Sequence, residues 1–306
     1  MSASIDVGDG VTVTLQRTLR IPDDGGDHPL PPSLGAMPTL PAAELAPAAR
    51  DLLGIGDADH VVALRDGEAL WLSFAARSWH PSVLKVGLGA TCAVTGGEFR
   101  NAPPRRGEQD YLVVQDQPWL DGVSTGDGCV RQFVATPLGT GATVEEQRSG
   151  DAPEGGLRFT TFAARPGQFP DEPPAVAVDD VLCCSPSAAP LGLAAGGRIR
   201  QEIYEDNHGY ATWEREPAAS VRVALVEAVA FAAVTGLPLP SPPVDAWTYT
   251  EAGLPWFELH DPARVGLDVS AKLRAVRSLA ELRGRADDVL VVDPEQVVAL
   301  LNGRGR

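Results

Sequence analysis

The sequence predicts an α+β protein with a β-rich, sandwich- or barrel-like body and a smaller C-terminal helical lobe. Three observations carry that prediction. Glycine (32) and proline (27) are scattered through the 306 residues without a period, which suits many short strands joined by turns. Two-residue apolar alternation recurs through the first two thirds of the chain. The last third changes to longer apolar or amphipathic stretches bounded by cap residues. The body is placed at 1–216. The lobe, with a terminal strand–helix unit, is placed at 217–306.

Taken in order, Val11–Ile21 alternates Val11, Val13 and Leu15 with Thr12, Thr14 and Gln16, the pattern of a half-buried strand. Pro22–Pro41 is too rich in Pro and Gly for a helix or a central strand. Val61–Arg65 and Ala69–Phe74 flank Asp66–Gly67 as a hairpin would. Val83–Val94 reads as a strand pair and Asn101–Glu108 as a loop. Tyr111–Val114, Val130–Ala135, Leu157–Ala163, Val176–Cys183 and Ile199–Tyr204 follow as strands, with a loop at Pro170–Pro174. Ser220–Thr235 is nearly all apolar and is stopped by Gly236 and Pro238, so a buried helix is expected. Asp268 is expected to cap a helix with Leu273, Val276 and Leu279 on one face. Val289–Val292 reads as a strand. Asp293–Pro294–Glu295 then opens a last helix carrying Val297, Val298 and Leu301, ended by Gly303.

The charge balance, 25 − 41 = −16, and the lack of any long basic run argue against nucleic acid and anionic membranes as partners. Only Lys85 and Lys272 are lysines; with abundant Ala, Gly, Val and Pro this reads as the coding bias of a GC-rich bacterial genome. The opening MSASIDVGDG lacks the basic and apolar regions of a signal peptide. The longest apolar stretch, Val223–Val234, is interrupted by Glu227 and falls short of the ~20 residues a spanning helix needs. Cys92, Cys129 and the adjacent Cys183–Cys184 fit reduced thiols better than a disulfide framework. A cytoplasmic protein is expected.

Several chemistries lose their signatures. Neither lysine follows a glycine, so there is no P-loop; H-E-x-x-H and C-x-x-C patterns are missing as well. Lys272 sits in an amphipathic helix pattern, a poor place for a Schiff base. No cofactor is expected.

The informative stretch is DYLVVQDQPWLDGVSTGDGCVRQFVATPLGTGATVEEQ, Asp110–Gln147. Asp116 and Asp121 flank Pro118–Trp119 in an expected loop. Paired acids of this kind divide acid–base work or hold a hard cation, while the commoner role of Asp in loops is to cap turns. Trp119 and Arg131 are residue types that anchor interfaces. Gly139–Thr140–Gly141 follows a strand and leads into Thr143–x–x–Glu146, a capping box. A glycine turn before a helix is a potential anion cradle, yet position 144 is Val where a dinucleotide fingerprint needs glycine, and Glu145 and Glu146 would repel phosphate. Downstream, Glu202, Glu205, Asp206 and His208 are the candidate metal ligands, set against a solvated turn at Asp206–Gly209. Cys129 would serve as a nucleophile only if the fold brought a His to it.

Three phrases, PWLDG with RQFVATPLGTGATVEEQ (118–147), GLAAGGRIRQEIYED (192–206) and GLPWFELHD (253–261), resemble a family of uncharacterised microbial proteins that share PWLDG, RQFVAxPLGxGxTVEEQ and GLPWF in this order. The resemblance spans roughly Val83 to Leu279 and implies no activity or residue role. Ala142 stands where a bulkier aromatic is expected. The leading functional expectation is a non-enzymatic cytoplasmic binding or scaffold protein that presents the 110–147 loops to a protein partner. The alternatives are a metal-dependent hydrolase using Asp116, Asp121 and Glu146, and a subunit of a larger assembly. The binding residues expected are Asp116, Trp119, Asp121, Arg131, Gly139, Gly141 and Glu146.

Overall fold

A computed structural model describes residues 2–126, 128–150, 155–170, 190–239, 242, 244–259, 264–268, 270–284 and 286–300. The expected strand at 176–183, the Cys183–Cys184 pair and the helix end at Gly303 lie outside these residues.

Strands dominate and gather into one large sheet. Its main path runs through Ile5–Asp6, Thr12–Thr18, Ala69–Ala75, Cys129–Pro137, Pro190–Arg200, Ala219–Glu227, Leu157–Ala163, Ser82–Leu88 and Leu112–Val113, each antiparallel to the next. Leu112–Val113 pairs with Ser82–Leu88, and a few residues later Trp119–Leu120 pairs with Ala69–Ala75. The chain between them therefore ties two distant strands of the path together within one β-rich body. Side chains of alternating residues from both arms meet inside it: Val13, Leu15, Leu72, Val86, Phe133, Phe159, Leu193 and Leu225 form one buried cluster. The β-rich body with minor helices is thus the architecture of this chain. Among the described residues no helix is long and apolar enough to cross a membrane.

A second cluster joins Leu19, Ile21, Leu30, Val130 and Ile199 of the body to Ala246, Tyr249, Trp256 and Leu290 of the C-terminal segment. That segment contributes the helix Ala246–Glu251 and a two-stranded parallel sheet of Trp256–Leu259 and Val297–Leu300. A bridge between Leu30 and Phe257 attaches the small sheet to the body.

Several local expectations need correction. Ser220–Thr235 is a strand, Ala219–Glu227, followed by the helix Ala228–Thr235. The strand lies in the main sheet, parallel to His60–Leu64 and antiparallel to Leu157–Ala163, so a continuous apolar run here marks a strand covered on both faces. Glu227, which seemed only to interrupt the run, is the helix cap: its carboxylate accepts from the Val229 and Ala230 amides. The hairpin at 61–74 is absent. Asp66–Gly67 turns the chain, but His60–Leu64 pairs with Thr39–Pro41 and Ala219–Glu227, while Ala69–Ala75 pairs with Thr12–Thr18. Non-local pairing here overrides a favourable turn.

Ser270, not Asp268, caps the short helix Ala271–Arg274, and Ser278 starts a separate one at Leu279–Arg283. Leu273, Val276 and Leu279 are buried as expected, but across that break. Val289–Val292 is not a strand. Asp293 does build a capping box, yet only one turn follows before Val297–Leu300 extends to pair with Trp256–Leu259. The expected last helix is therefore a strand, in line with its run of β-branched valines. Trp119, expected in a loop, sits in a two-residue strand opposite Ser73.

Candidate functional site

The register of the sheet places the aromatic side chains of interest. Trp71 lies two residues before Ser73, and Ser73 stands opposite Trp119, so both indoles project from the same face. Their neighbours in the chain, Leu70, Leu72 and Leu120, point into the buried interior. The two rings meet edge to face, with centroids 6.2 Å apart and planes at 65°. Trp71 Nε1 is buried and has no acceptor among the described residues. Two residues beyond Trp119, Asp121 falls on the same side.

These side chains line a cleft of about 160 Å³ at the seam between the body and the C-terminal sheet. Leu30, Pro31, Pro32, Ser33, Phe257 and Leu300 complete its walls. The lining residues are apolar except for Ser33 and Asp121. Asp121 is 2% exposed. Gln201 clamps it twice: its Nε2 donates to Asp121 Oδ2 at 2.6 Å, and its Oε1 accepts from the Asp121 amide at 2.9 Å. No donor among the described residues reaches Asp121 Oδ1. Burial pushes this carboxyl up to about 7, against the lowering effect of the Gln201 hydrogen bond.

The other acids singled out in the sequence are occupied elsewhere. Asp116 is buried and paired with Arg264, Nη2 to Oδ1 at 2.5 Å. Arg131 is not in the cleft; it reaches Asp23 at 3.5 Å and Glu281 at 3.6 Å. Gly139 and Gly141 both adopt positive φ, 86° and 71°, in the turn before the helix Val144–Ser149. The amides of that turn are answered from within. Glu146 accepts from the Gly139 amide at 2.6 Å and the Thr143 amide at 3.2 Å, while Thr143 Oγ1 accepts from the Glu146 amide at 3.1 Å. Burial raises the Glu146 carboxyl, but these bonds outweigh it and hold it below the ordinary glutamate value. The anion cradle is filled by the protein's own carboxylate.

Glu145, beside it, has the opposite fate. It is fully buried, Leu193 N–H donates to its Oε1 at a long 3.4 Å, and Oε2 has no partner among the described residues. Burial pushes it up to about 8. Nothing in the sequence pattern separates it from Glu146 except position on the helix.

Asp206 accepts from Tyr111 Oη and Trp213 Nε1, both at 2.8 Å, and from the His208 amide. The His208 ring packs against Phe169 and Trp213, with centroids at 5.1 and 5.8 Å. These two candidate metal ligands thus fasten an aromatic cluster. Glu202 and Glu205 lie on the same stretch, and among the described residues no three His, Cys, Asp or Glu side chains are placed to hold an ion. Cys129 is buried in its strand, and burial raises its thiol above the ordinary range.

The sequence reading included Trp119 and Asp121 and missed Trp71, Phe257 and Gln201. Trp71 carried a signal: a bulky aromatic at a polar-phase position of an alternating strand, where its neighbours supply the core. Fold and cleft define a β-rich protein with an aromatic-lined crevice at the seam between the body and the C-terminal sheet. Comparison with protein-family models, with curated proteins and with solved structures gave no match, so function must be argued from the cleft itself.

Proposed function

We propose that the protein is a binding module that takes a side chain of a partner protein into the cleft lined by Trp71 and Trp119. One observation carries this reading: two half-buried indoles and a buried carboxyl converge on a small apolar crevice at an inter-element seam, the kind of place where ligands bind. Aromatic residues in such pockets commonly dominate binding energy. The hydrolase alternative draws no comparable support, because Asp116, Asp121 and Glu146 each serve a different local structure. The charge of −16 favours a basic protein surface as the partner and disfavours a phosphate backbone.

The test is site-specific photo-crosslinking from Ser33, on the rim of the cleft. A benzophenone side chain there is expected to trap one discrete partner from host lysate. Trp119→Ala should abolish the adduct, and Arg131→Ala, outside the cleft, should preserve it. Equal adducts from both variants would refute the assignment of this cleft.

A further inference from the structure

We infer that the side chain received by the cleft that Trp71 and Trp119 line is a lysine of the partner protein, its ammonium placed on Asp121 Oδ1 and its alkyl stem packed against the indoles. The inference rests on the binding reading above and adds the chemistry of the ligand. Three features of the site carry it.

The first is the carboxyl. Among the described residues no cation pairs with Asp121, and its one side-chain partner there is the neutral Gln201 amide. A buried acid of this kind is costly unless a positive group or a proton answers it. The atom left open, Oδ1, belongs to a residue that lines the cleft, which makes the cleft the approach for the answering group.

The second is stereochemical. Gln201 already occupies Oδ2, so the ligand meets one carboxylate oxygen and not two. An arginine fork makes its strongest contact with both oxygens at once, whereas an ammonium is a point charge that needs one. A cleft of about 160 Å³ has room for one extended side chain.

The third is the walls. Trp71, Trp119 and Phe257 present π systems to whatever enters, and a cation near indole is attracted by the ring quadrupole while its stem buries apolar surface. The field of an acidic chain with net charge −16 supplies the approach.

The experiment uses the full chain and three probes: n-butylammonium, n-butanol as its neutral counterpart, and Nα-acetyl-lysine methylamide, titrated by calorimetry and ligand-detected NMR. Butylammonium and the lysine derivative should bind at least tenfold more tightly than butanol. Asp121→Asn should remove that preference while leaving butanol binding in place, and Trp119→Ala should weaken all three. Urea unfolding of each variant establishes that it is folded. Equal affinity for butanol and butylammonium, or an unaltered preference in Asp121→Asn, overturns the cation assignment; if Trp119→Ala still weakens binding, the cleft reading survives alone. Butylammonium binding without binding of the lysine derivative overturns the partner-lysine assignment in favour of a free amine. Failure of every probe overturns the inference, and the Ser33 cross-link then decides the binding reading separately.

Discussion

Raising the pH from 5 to 8 is expected to destabilise this protein, and Glu145→Gln is expected to remove much of that loss. Glu145 is wholly enclosed, with one weak amide donor and one oxygen that has no partner among the described residues. Its folded value of about 8 stands against an ordinary 4.5 in the unfolded chain. For a carboxyl raised by folding, stability is intact below the unfolded value and is lost as the pH climbs through the folded one. At about 1.4 kcal/mol per pH unit, the interval corresponds to a ceiling of about 5 kcal/mol by pH 8. Water entry and local relaxation reduce it. The Gln variant keeps the Leu193 contact but buries an amide NH₂ where Oε2 lies, at a cost of about 1–3 kcal/mol. The net expectation at pH 8 is therefore a gain of roughly 2–4 kcal/mol, turning into a small loss at pH 5. Urea unfolding followed by tryptophan fluorescence at half-unit pH steps measures this directly. A wild-type midpoint that stays flat or rises from pH 5 to 8 would refute the reasoning. So would a Gln variant with the wild-type slope. Asp121, raised to about 7 by burial, contributes a second loss of the same sign, so Asp121→Asn together with Glu145→Gln should flatten the profile further than either change alone.

Arg264→Met removes the guanidinium paired with buried Asp116 and should cost about 3–5 kcal/mol in chemical denaturation, most of it recovered when Asp116→Asn is added. A loss of about 1 kcal/mol, the scale of a surface pair, would show the pair to be screened by solvent. Glu146→Ala removes the acceptor for the Gly139 and Thr143 amides and should cost about 1–2 kcal/mol. The carboxyl is lowered by folding, so its contribution is present above the ordinary value near 4.5 and is lost as the pH falls through the folded one. The variant should therefore differ from wild type at pH 7 and converge with it in acid; a constant difference down to low pH would contradict the capping role.

Much of the body was legible because alternation and turn chemistry are local. Leu157–Ala163 is a strand over the residues read as one, and Thr143 with Glu146 forms the capping box its spacing describes. What stayed hidden depends on long-range pairing. His60–Leu64 and Ala69–Ala75 look like a hairpin to any local rule, yet their partners lie at Ala219–Glu227 and Thr12–Thr18. Likewise the apolar run at 220–226 is compatible with a buried helix or a buried strand, and only its place beside His60–Leu64 decides between them. The adjacent acids Glu145 and Glu146 show the same limit on the scale of one residue. Both read as first-turn acids, but one turns back to the glycine amides and the other enters the core beside Leu193, with opposite consequences for pH.

The cleft itself follows from parity. Trp119 and Asp121 are two apart on an extended chain, so a shared face is implied by the spacing alone. Trp71 joins them because Ser73 is the residue opposite Trp119, a fact of register that no segment of the sequence contains. Arg131, grouped with Trp119 and Asp121 by sequence proximity, instead reaches Asp23 and Glu281 near a register shift that falls between Arg131 and Phe133 in its own strand. The separation has a chemical consequence. An arginine in the cleft would have answered the Asp121 carboxyl from within and left a closed ion pair. With Arg131 held elsewhere, Asp121 Oδ1 has no donor among the described residues, and Asp121 lines the same cleft as the two indoles.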